Sequence, residues 1–227
     1  MLIVRGLIGG LFQLGFFAVF LLIPAGTWHW PRAIWFLVAY GVVLLISIIW
    51  LARVAPASLE ARLEPVVSKT QPVADRIVSF FLIVSLFGWM AFIPTDVFRL
   101  QLFPPPSIGV SILGAALFFA GFGVILTALY QNAFAAPIVK DQSNRGQVVI
   151  DTGLYARVRH PFYLGLLPFL MGLALWLQSY AAVLALLIPA AFLIARIFVE
   201  EKTLRETLPG YAEYMERVRW RIVPRIW

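Results

Sequence analysis

The sequence predicts an all-α fold, a polytopic membrane helix bundle with five to six transmembrane helices. Of its 227 residues, 62% are hydrophobic and 13% are charged, whereas soluble domains are about 45–50% apolar and about 25% charged. Long apolar runs recur along the chain, and the basic residues between them cluster in alternate loops. These observations exclude a water-soluble globule and indicate a single membrane domain over residues 1–227.

Six apolar runs define the predicted helices. They cover roughly residues 3–23, 34–51, 77–93, 108–130, 162–177 and 180–199. A spanning helix needs about 17–25 mostly apolar residues, and the first four runs meet this length. The last two are shorter or contain proline, and only Gln178 and Ser179 separate them. We therefore expect a tight C-terminal helical hairpin, so both five and six spans are compatible with the sequence.

The lysines and arginines predict the orientation. Cytoplasmic loops of membrane proteins carry an excess of basic residues, and here the alternate loops on one side hold only Arg32 and Arg99. Both termini and the three large polar segments are thus expected in the cytoplasm, at a bacterial inner membrane or an endoplasmic-reticulum-type membrane. The basic residues on that side are Arg5, Arg53, Arg62, Lys69, Arg76, Lys140, Arg145, Arg157, Arg159, Lys202, Arg205, Arg217, Arg219, Arg221 and Arg225.

The polar segments divide the chain into two parts. Residues 1–130 hold four N-terminal spans and a proline-containing linker over residues 53–76, with a short amphipathic helix expected near residues 58–63. This linker is the candidate hinge or lid. Residues 131–227 begin with the longest loop and end in a tail that continues the last helix. The tail breaks near Pro209 and Gly210 and resumes as an amphipathic helix over residues 211–219.

Composition narrows the possible chemistry. The chain has no cysteine and only two histidines, His29 and His160. Disulfides, cysteine nucleophiles and cysteine- or multi-histidine-ligated metals are therefore excluded. The formal net charge is +7, but the basic residues lie in short loops between apolar runs, so we expect the lipid bilayer and not nucleic acid as their partner.

The first candidate site is the stretch of residues 153–165, which brings Arg157, Arg159 and His160 to the start of an apolar helix. Pro161 suits the first helical turn, where its missing N–H costs nothing. A helix N-terminus also binds carboxylates and other anions well. The alternative interpretation is that these residues mark a helix boundary and contact lipid phosphates.

The second candidate lies where the last apolar run ends. Arg196 and Glu200 are four residues apart, so they share one helix face and can pair. The adjacent carboxylates of Glu200 and Glu201 cannot both point into the same groove. A charge at membrane depth is costly and by default indicates function, whereas snorkelling of Arg196 to the headgroups with an ordinary ion pair is the alternative.

The third candidate is the tail helix, which carries Tyr211 and Tyr214 and is followed by a basic, aromatic end. A helix of this kind can lie on anionic lipid. That explanation does not account for the order in which the three candidate stretches follow one another.

The order of the motifs resembles a known family. The chain reads Gly-x-Tyr-x-x-x-Arg-His-Pro-x-Tyr-x-Gly from Gly153, then Arg-x-x-x-Glu-Glu-x-x-Leu from Arg196, then Gly-Tyr-x-x-Tyr from Gly210 and a closing basic-x-x-Pro. This pattern is similar to the isoprenylcysteine carboxyl methyltransferases, integral membrane enzymes related to the phospholipid N-methyltransferases. The resemblance covers about residues 130–224, and Leu154 departs from it where the family often has proline.

The resemblance implies S-adenosylmethionine as methyl donor in a cytoplasmic-facing pocket, and a lipophilic acceptor that arrives from the bilayer. The implied reaction is carboxyl O-methylation of an isoprenylcysteine-like acceptor. Glu200 or Glu201 would hold the cofactor's amino group, and Arg196 would lie near the acceptor. The implied cofactor-binding residues are Gln147, Gly153, Tyr155, Arg159, His160, Pro161, Tyr163, Gly165 and Glu201. The implied catalytic residues are Arg196, Glu200 and Glu201, and the implied substrate-binding residues are Arg196, Tyr211 and Tyr214.

Several alternatives stay open from the sequence. The acceptor can be a phospholipid amine or a small thiol in place of a carboxylate. A sterol-reductase-type enzyme that uses NADPH has a similar C-terminal region. A non-enzymatic scaffold or transporter belongs to a different class of protein, and the scarcity of charges within the early spans counts against transport.

Overall fold

The computed structural model describes residues 1–63, 71–134 and 146–227, which are mostly helical and contain no β-strand. The all-α prediction is confirmed. A π-helical turn over Asp96–Leu100 extends the fourth helix, and a 3₁₀ turn over Gly153–Ala156 precedes the sixth. The helices are α1 (Leu2–Ala25), α2 (Pro31–Val54), α3 (Pro56–Arg62), α4 (Val73–Thr95), α5 (Ile108–Gln131), α6 (Pro161–Trp176), α7 (Tyr180–Ala185), α8 (Leu187–Thr207) and α9 (Tyr211–Arg217).

Five segments of the described chain are long and apolar enough to cross a membrane, which confirms the polytopic bundle. They are Leu2–Ala25, Pro31–Val54, Val73–Leu100, Ile108–Gln131 and Tyr180–Thr207. The last continues past residue 199 into the tail, as predicted, and Pro189 lies in the first turn of α8, where proline is tolerated. The 16 residues of α6 span only about 24 Å at 1.5 Å per residue.

Two ends of the bundle can be distinguished. At the end that we call the basic end, α1, α4 and α6 begin and α2, α5 and α8 end, with α3 beside them. The Ser58 hydroxyl on α3 donates to the carbonyl of Leu129 on α5, which fixes this short helix in place. At the far end, the Ser179 hydroxyl donates to Asp96 over 2.6 Å and joins the α6–α7 turn to α4.

Glycines allow α5 and α6 to pack with their backbones in contact. A Cβ at Gly121 would lie 2.5 Å from the Gly165 carbonyl oxygen, and one at Gly165 would lie 2.7 Å from the Gly121 carbonyl oxygen. One heptad further along, Gly114 and Gly172 make the same kind of approach. Small residues at such a spacing are typical of close helix pairs in membranes. The pair holds the start of α6 in a fixed position.

The linker and the tail both contain the short helices that the sequence predicts. In the linker, α3 begins at Pro56 and ends at Arg62, and residues 64–70 lie outside the described residues. The prediction of a hinge or lid therefore falls partly on undescribed chain. In the tail, Gly210 has a φ of 82°, a left-handed conformation that favours glycine and separates α8 from α9.

Candidate functional site

The 3₁₀ turn before α6 is anchored to the end of α5. Gly153 has a φ of 60° and packs against the side chain of Gln131, so a side chain at this position would be strained and would clash. The Leu154 N–H donates to the Gln131 amide oxygen at 2.9 Å. Tyr155 is buried, and burial raises the pKa of its hydroxyl to about 12. The turn thus places residues 157–160 in a defined position.

The C-terminal tail is bonded to the backbone of the Arg-His-Pro motif. The Arg159 N–H donates to the Trp220 carbonyl at 2.9 Å, and the His160 N–H donates to the Arg221 carbonyl at 2.8 Å. The Arg159 guanidinium donates to two further tail carbonyls, at 2.8 and 3.0 Å. Pro161 follows as the first residue of α6 and is buried. The tail therefore covers the start of α6.

Glu201 is the centre of a buried ion-pair network. Its Oε1 accepts from Arg159 Nε at 2.7 Å and lies 3.1 Å from His160 Nε2, and its Oε2 accepts from Arg221 Nε at 2.9 Å. The residue is only 4% exposed. We call these four residues the Glu201 network. Both carboxylate oxygens are used by partners within the protein.

Glu200 has a different environment from that of its neighbour. Its Oε2 accepts a hydrogen bond from the Tyr163 hydroxyl at 2.9 Å and lies 3.9 Å from His160 Nδ1. The His160 and Tyr163 rings are stacked with centroids 5.6 Å apart. The Glu200 side chain is 26% exposed, compared with 5% for the Glu201 side chain. Glu200 is therefore the carboxylate that a ligand can approach.

Arg196 forms an ion pair across the bundle. Its Nε lies 3.4 Å from Oδ1 of Asp75, a fully buried residue in the first turn of α4. Gln71 and Ser79 also donate to Asp75, at 2.7 and 3.3 Å. The sequence suggested that Arg196 pairs with Glu200 on its own helix. The structure shows an α4 carboxylate in that place, because α4 and α8 pack side by side.

Arg62 reaches the same region from α3. Its guanidinium carbon lies 4.5 Å from the centre of the Phe162 ring, in the first turn of α6. Burial lowers the pKa of Arg62 to about 10, and the positive charge of Arg196 acts in the same direction. We call Arg62, Asp75 and Arg196 the Arg196 cluster.

The remaining predicted site residues occupy supporting positions. Tyr211 and Tyr214 are 5% and 2% exposed, burial raises the pKa of both hydroxyls, and Tyr214 donates to the Tyr155 carbonyl at 2.8 Å. Gly165 faces α5. Gln147 is half-buried in the loop before the 3₁₀ turn. Their predicted roles in cofactor or substrate binding remain predictions.

Metal ligands and a cavity at the far end of the bundle are two further features of the described chain. Within the described ranges, no group of three histidines and carboxylates is placed to hold a metal ion. A cavity of about 420 Å³ lies at the far end of the bundle, lined in part by Asp96, Phe103 and Gln178. Because it is at the opposite end from Glu200 and Arg196, it is not part of the candidate site.

Sequence reasoning missed three residues of the site. Asp75 could have been found, because a carboxylate at the start of an apolar run is costly to bury. Arg62 and Arg221 were counted only as basic residues that orient the chain. Nothing in their local sequence distinguishes them from the other arginines of the linker and the tail.

The fold is that of a polytopic membrane protein. Residues 110–209 match the family model described as phospholipid methyltransferase. The match runs from α5 to the end of α8 and includes both the Arg-His-Pro and the Glu-Glu motifs, so the family resemblance of these motifs is confirmed. No curated protein matches the chain. Arg62, Asp75 and Arg221 lie outside the matched segment.

Proposed function

We propose that the protein transfers a methyl group from S-adenosylmethionine to a lipophilic acceptor at the cytoplasmic face of the membrane. The observation that carries this proposal is the contrast between the two motif glutamates. Glu201 is bound on both oxygens by Arg159, His160 and Arg221. Glu200 lies beside Tyr163 with part of its surface open. Within a methyltransferase-family segment, this leaves one anchored carboxylate for a cationic ligand group.

The chemistry of these residues fits the methyl donor. An ammonium group suits the carboxylate of Glu200, because charge-assisted hydrogen bonds are the stronger ones. A carboxylate group suits the start of α6, where backbone N–H groups point outward. The rings of Tyr163 and Phe162 can face a cation. When bound, S-adenosylmethionine supplies an electrophilic methyl group on a sulfonium.

The roles of the other residues follow from their contacts. Methyl transfer needs little acid–base chemistry, so positioning and the exclusion of water supply most of the rate enhancement. Glu201 and Arg159 act as positioning residues, since together they hold the tail against the start of α6. The buried Tyr155, Tyr211 and Tyr214 support the tail on that side of the site. The proposed cofactor pocket and the residues that support it also include Gln147, Gly153, Pro161 and Gly165.

The proposed acceptor is the carboxylate of an isoprenylcysteine-like amphiphile. A carboxylate attacks as an anion without losing a proton, and Arg196 would orient it. A phospholipid amine is the second candidate, favoured by the description of the matching family. An amine must lose a proton on methylation, and Glu200 would then accept it.

Calorimetry in mild detergent tests the cofactor assignment. Three ligands, S-adenosylmethionine, S-adenosylhomocysteine and NADPH, are titrated separately into wild type and into the variants Glu200→Gln and Glu206→Gln. Glu206 is exposed on the same helix and serves as the matched control. We expect micromolar binding of the first two ligands, and about tenfold or greater weakening in Glu200→Gln alone. NADPH binding without binding of the methyl donor would indicate a reductase. If none of the three ligands binds, the protein would instead be a scaffold or transporter.

A labelled-methyl assay then identifies the acceptor. Purified protein receives radiolabelled S-adenosylmethionine with N-acetyl-S-farnesylcysteine, phosphatidylethanolamine or a small alkyl thiol. Base-labile label in the farnesylcysteine product indicates a methyl ester and supports carboxyl methylation. Base-stable label in the phospholipid indicates N-methylation, and label in the thiol indicates a thioether.

A further inference from the structure

Two arginines from opposite halves of the chain converge beside the start of α6. Arg62 comes from the linker helix α3 and Arg196 from α8. Arg62 lies over the ring of Phe162. The next residue, Tyr163, packs with Leu193 and Ile197 of α8, the helix that carries Arg196.

The two arginines differ in their partners. Arg196 is paired with the buried carboxylate of Asp75. Arg62 is packed on an aromatic face, and among the described residues no carboxylate lies within ion-pair distance of its guanidinium. Removing a guanidinium from water costs free energy that an anionic partner restores. Within the Arg196 cluster, Arg62 is therefore the guanidinium without a carboxylate partner among the described residues.

Arg62 is held in place by its helix. The Ser58 hydroxyl bonds to the α5 backbone, and Leu59 is buried with Ile48 and Leu51 of α2. The contact of the guanidinium with the Phe162 ring supplies no oxygen acceptor for its five N–H donors. A planar fork of this kind matches the two oxygens of a carboxylate or phosphate.

We propose that Arg62 is a specificity-determining residue that, with Arg196, binds an oxyanion of the amphiphilic methyl acceptor. The inference rests on the proposed function and adds a residue from outside the family-matched segment. The oxyanion is the carboxylate of the acceptor or the phosphate of a lipid headgroup, which share this binding chemistry. Residues 1–109 thus contribute to the selection of the acceptor.

Binding measurements with charged and neutral amphiphiles test this role. The probes are N-acetyl-S-farnesylcysteine, its uncharged carboxamide and farnesyl phosphate, each titrated into the protein in a nonionic detergent and followed by tryptophan fluorescence. The variants are Arg62→Gln, Arg62→Lys and Arg53→Gln, the last an exposed arginine in the final turn of α2. S-adenosylhomocysteine affinity is measured for every variant.

We expect wild type to prefer an anionic probe over the carboxamide, and Arg62→Gln to lose about tenfold of that preference. Arg62→Lys should restore part of this preference, and Arg53→Gln should keep the wild-type preference. The affinity for S-adenosylhomocysteine should stay unchanged in all variants. A loss confined to farnesylcysteine identifies the acceptor carboxylate, and one confined to farnesyl phosphate identifies a headgroup phosphate.

Three results overturn the inference. An undiminished preference in Arg62→Gln excludes a role in anion binding. An equal weakening of the carboxamide shows that Arg62 has only a packing role. Weakened S-adenosylhomocysteine binding in Arg62→Gln assigns the arginine to the cofactor. If wild type binds no S-adenosylhomocysteine, the proposed function fails, and this inference fails with it.

Discussion

The Glu201 network and the Arg196 cluster are neighbouring groups of charges with opposite degrees of internal pairing. In the Glu201 network, one carboxylate receives two guanidiniums and an imidazole within 3.1 Å. In the Arg196 cluster, one carboxylate faces Arg196 at a longer 3.4 Å, while Arg62 contacts an aromatic ring. Glu200 lies between the two groups and is partly open.

This difference separates the parts of the site that hold it together from the parts that can bind ligands. A buried polar group with all its partners in the protein has little capacity left for a ligand, and its loss is expensive. A charged group with incomplete pairing gains from a ligand of opposite charge. The Glu201 network and the buried Asp75 are thus expected to control stability, and Glu200, Arg62 and Arg196 to control binding. Four substitutions test this division, in order of their expected effect on stability.

Replacement of Glu201 by alanine should have the largest effect. It leaves the guanidiniums of Arg159 and Arg221 without their shared carboxylate and releases the tail. Removing one partner of a buried pair costs about 3–5 kcal/mol. The free energy of unfolding in detergent, measured by denaturant titration, should fall by this amount. Glu206→Ala on the same helix is the control. A Glu201→Ala variant as stable as wild type would show that Glu201 has no structural role.

Asp75→Asn should have the second largest effect. The substitution keeps the shape of the side chain but takes the negative charge away from Arg196, and hydrogen bonds to charged groups contribute about 1.5–3 kcal/mol. We expect unfolding to become easier by about 2 kcal/mol, and the KM for the acceptor to change more than the affinity for S-adenosylhomocysteine. The control is Asp151→Asn, which breaks an exposed pair with Arg217 that contributes about 0–1 kcal/mol.

Tyr163→Phe should have a smaller effect on stability. It removes the hydroxyl that donates to Glu200 at 2.9 Å and leaves the stacking on His160 intact. Hydrogen bonds to charged groups contribute about 1.5–3 kcal/mol, and because Glu200 is partly exposed we expect a loss of about 1 kcal/mol here. Thermal unfolding should show this modest change, accompanied by a several-fold weaker affinity for the methyl donor. The partly exposed Tyr180 supplies the matched Tyr→Phe control at the far end.

Glu200→Gln should have the smallest effect on stability and the largest on cofactor binding. The glutamine can still accept from Tyr163, so the free energy of unfolding should stay within about 0.5 kcal/mol of wild type. The affinity for S-adenosylmethionine, measured by calorimetry, should fall about tenfold or more. If stability and affinity fell together in this variant, as expected for Glu201→Ala, the division between the two motif glutamates would be wrong.

The sequence predicted the local features of the site well. Pro161 begins α6 as its position after a polar turn suggested, and the breaks around α3 and at Gly210 lie where proline and glycine place them. These features depend on neighbouring residues alone. The packing of Gly165 against Gly121 of α5 was not predicted, and its place in the cofactor pocket remains a prediction. A glycine's partner across a helix interface has no signature in the local sequence.

The order of short motifs indicated a resemblance to a methyltransferase family. Hydropathy and the spacing of charges were enough to determine an all-helical membrane bundle and its apolar helices. They suffice because the bilayer imposes its length and polarity on each segment separately. Only the tertiary structure decided that Glu201 is enclosed and Glu200 is not, and that Arg196 meets Asp75 from 121 residues away. These pairings depend on which helices pack side by side and at what rotation, so no single segment determines them.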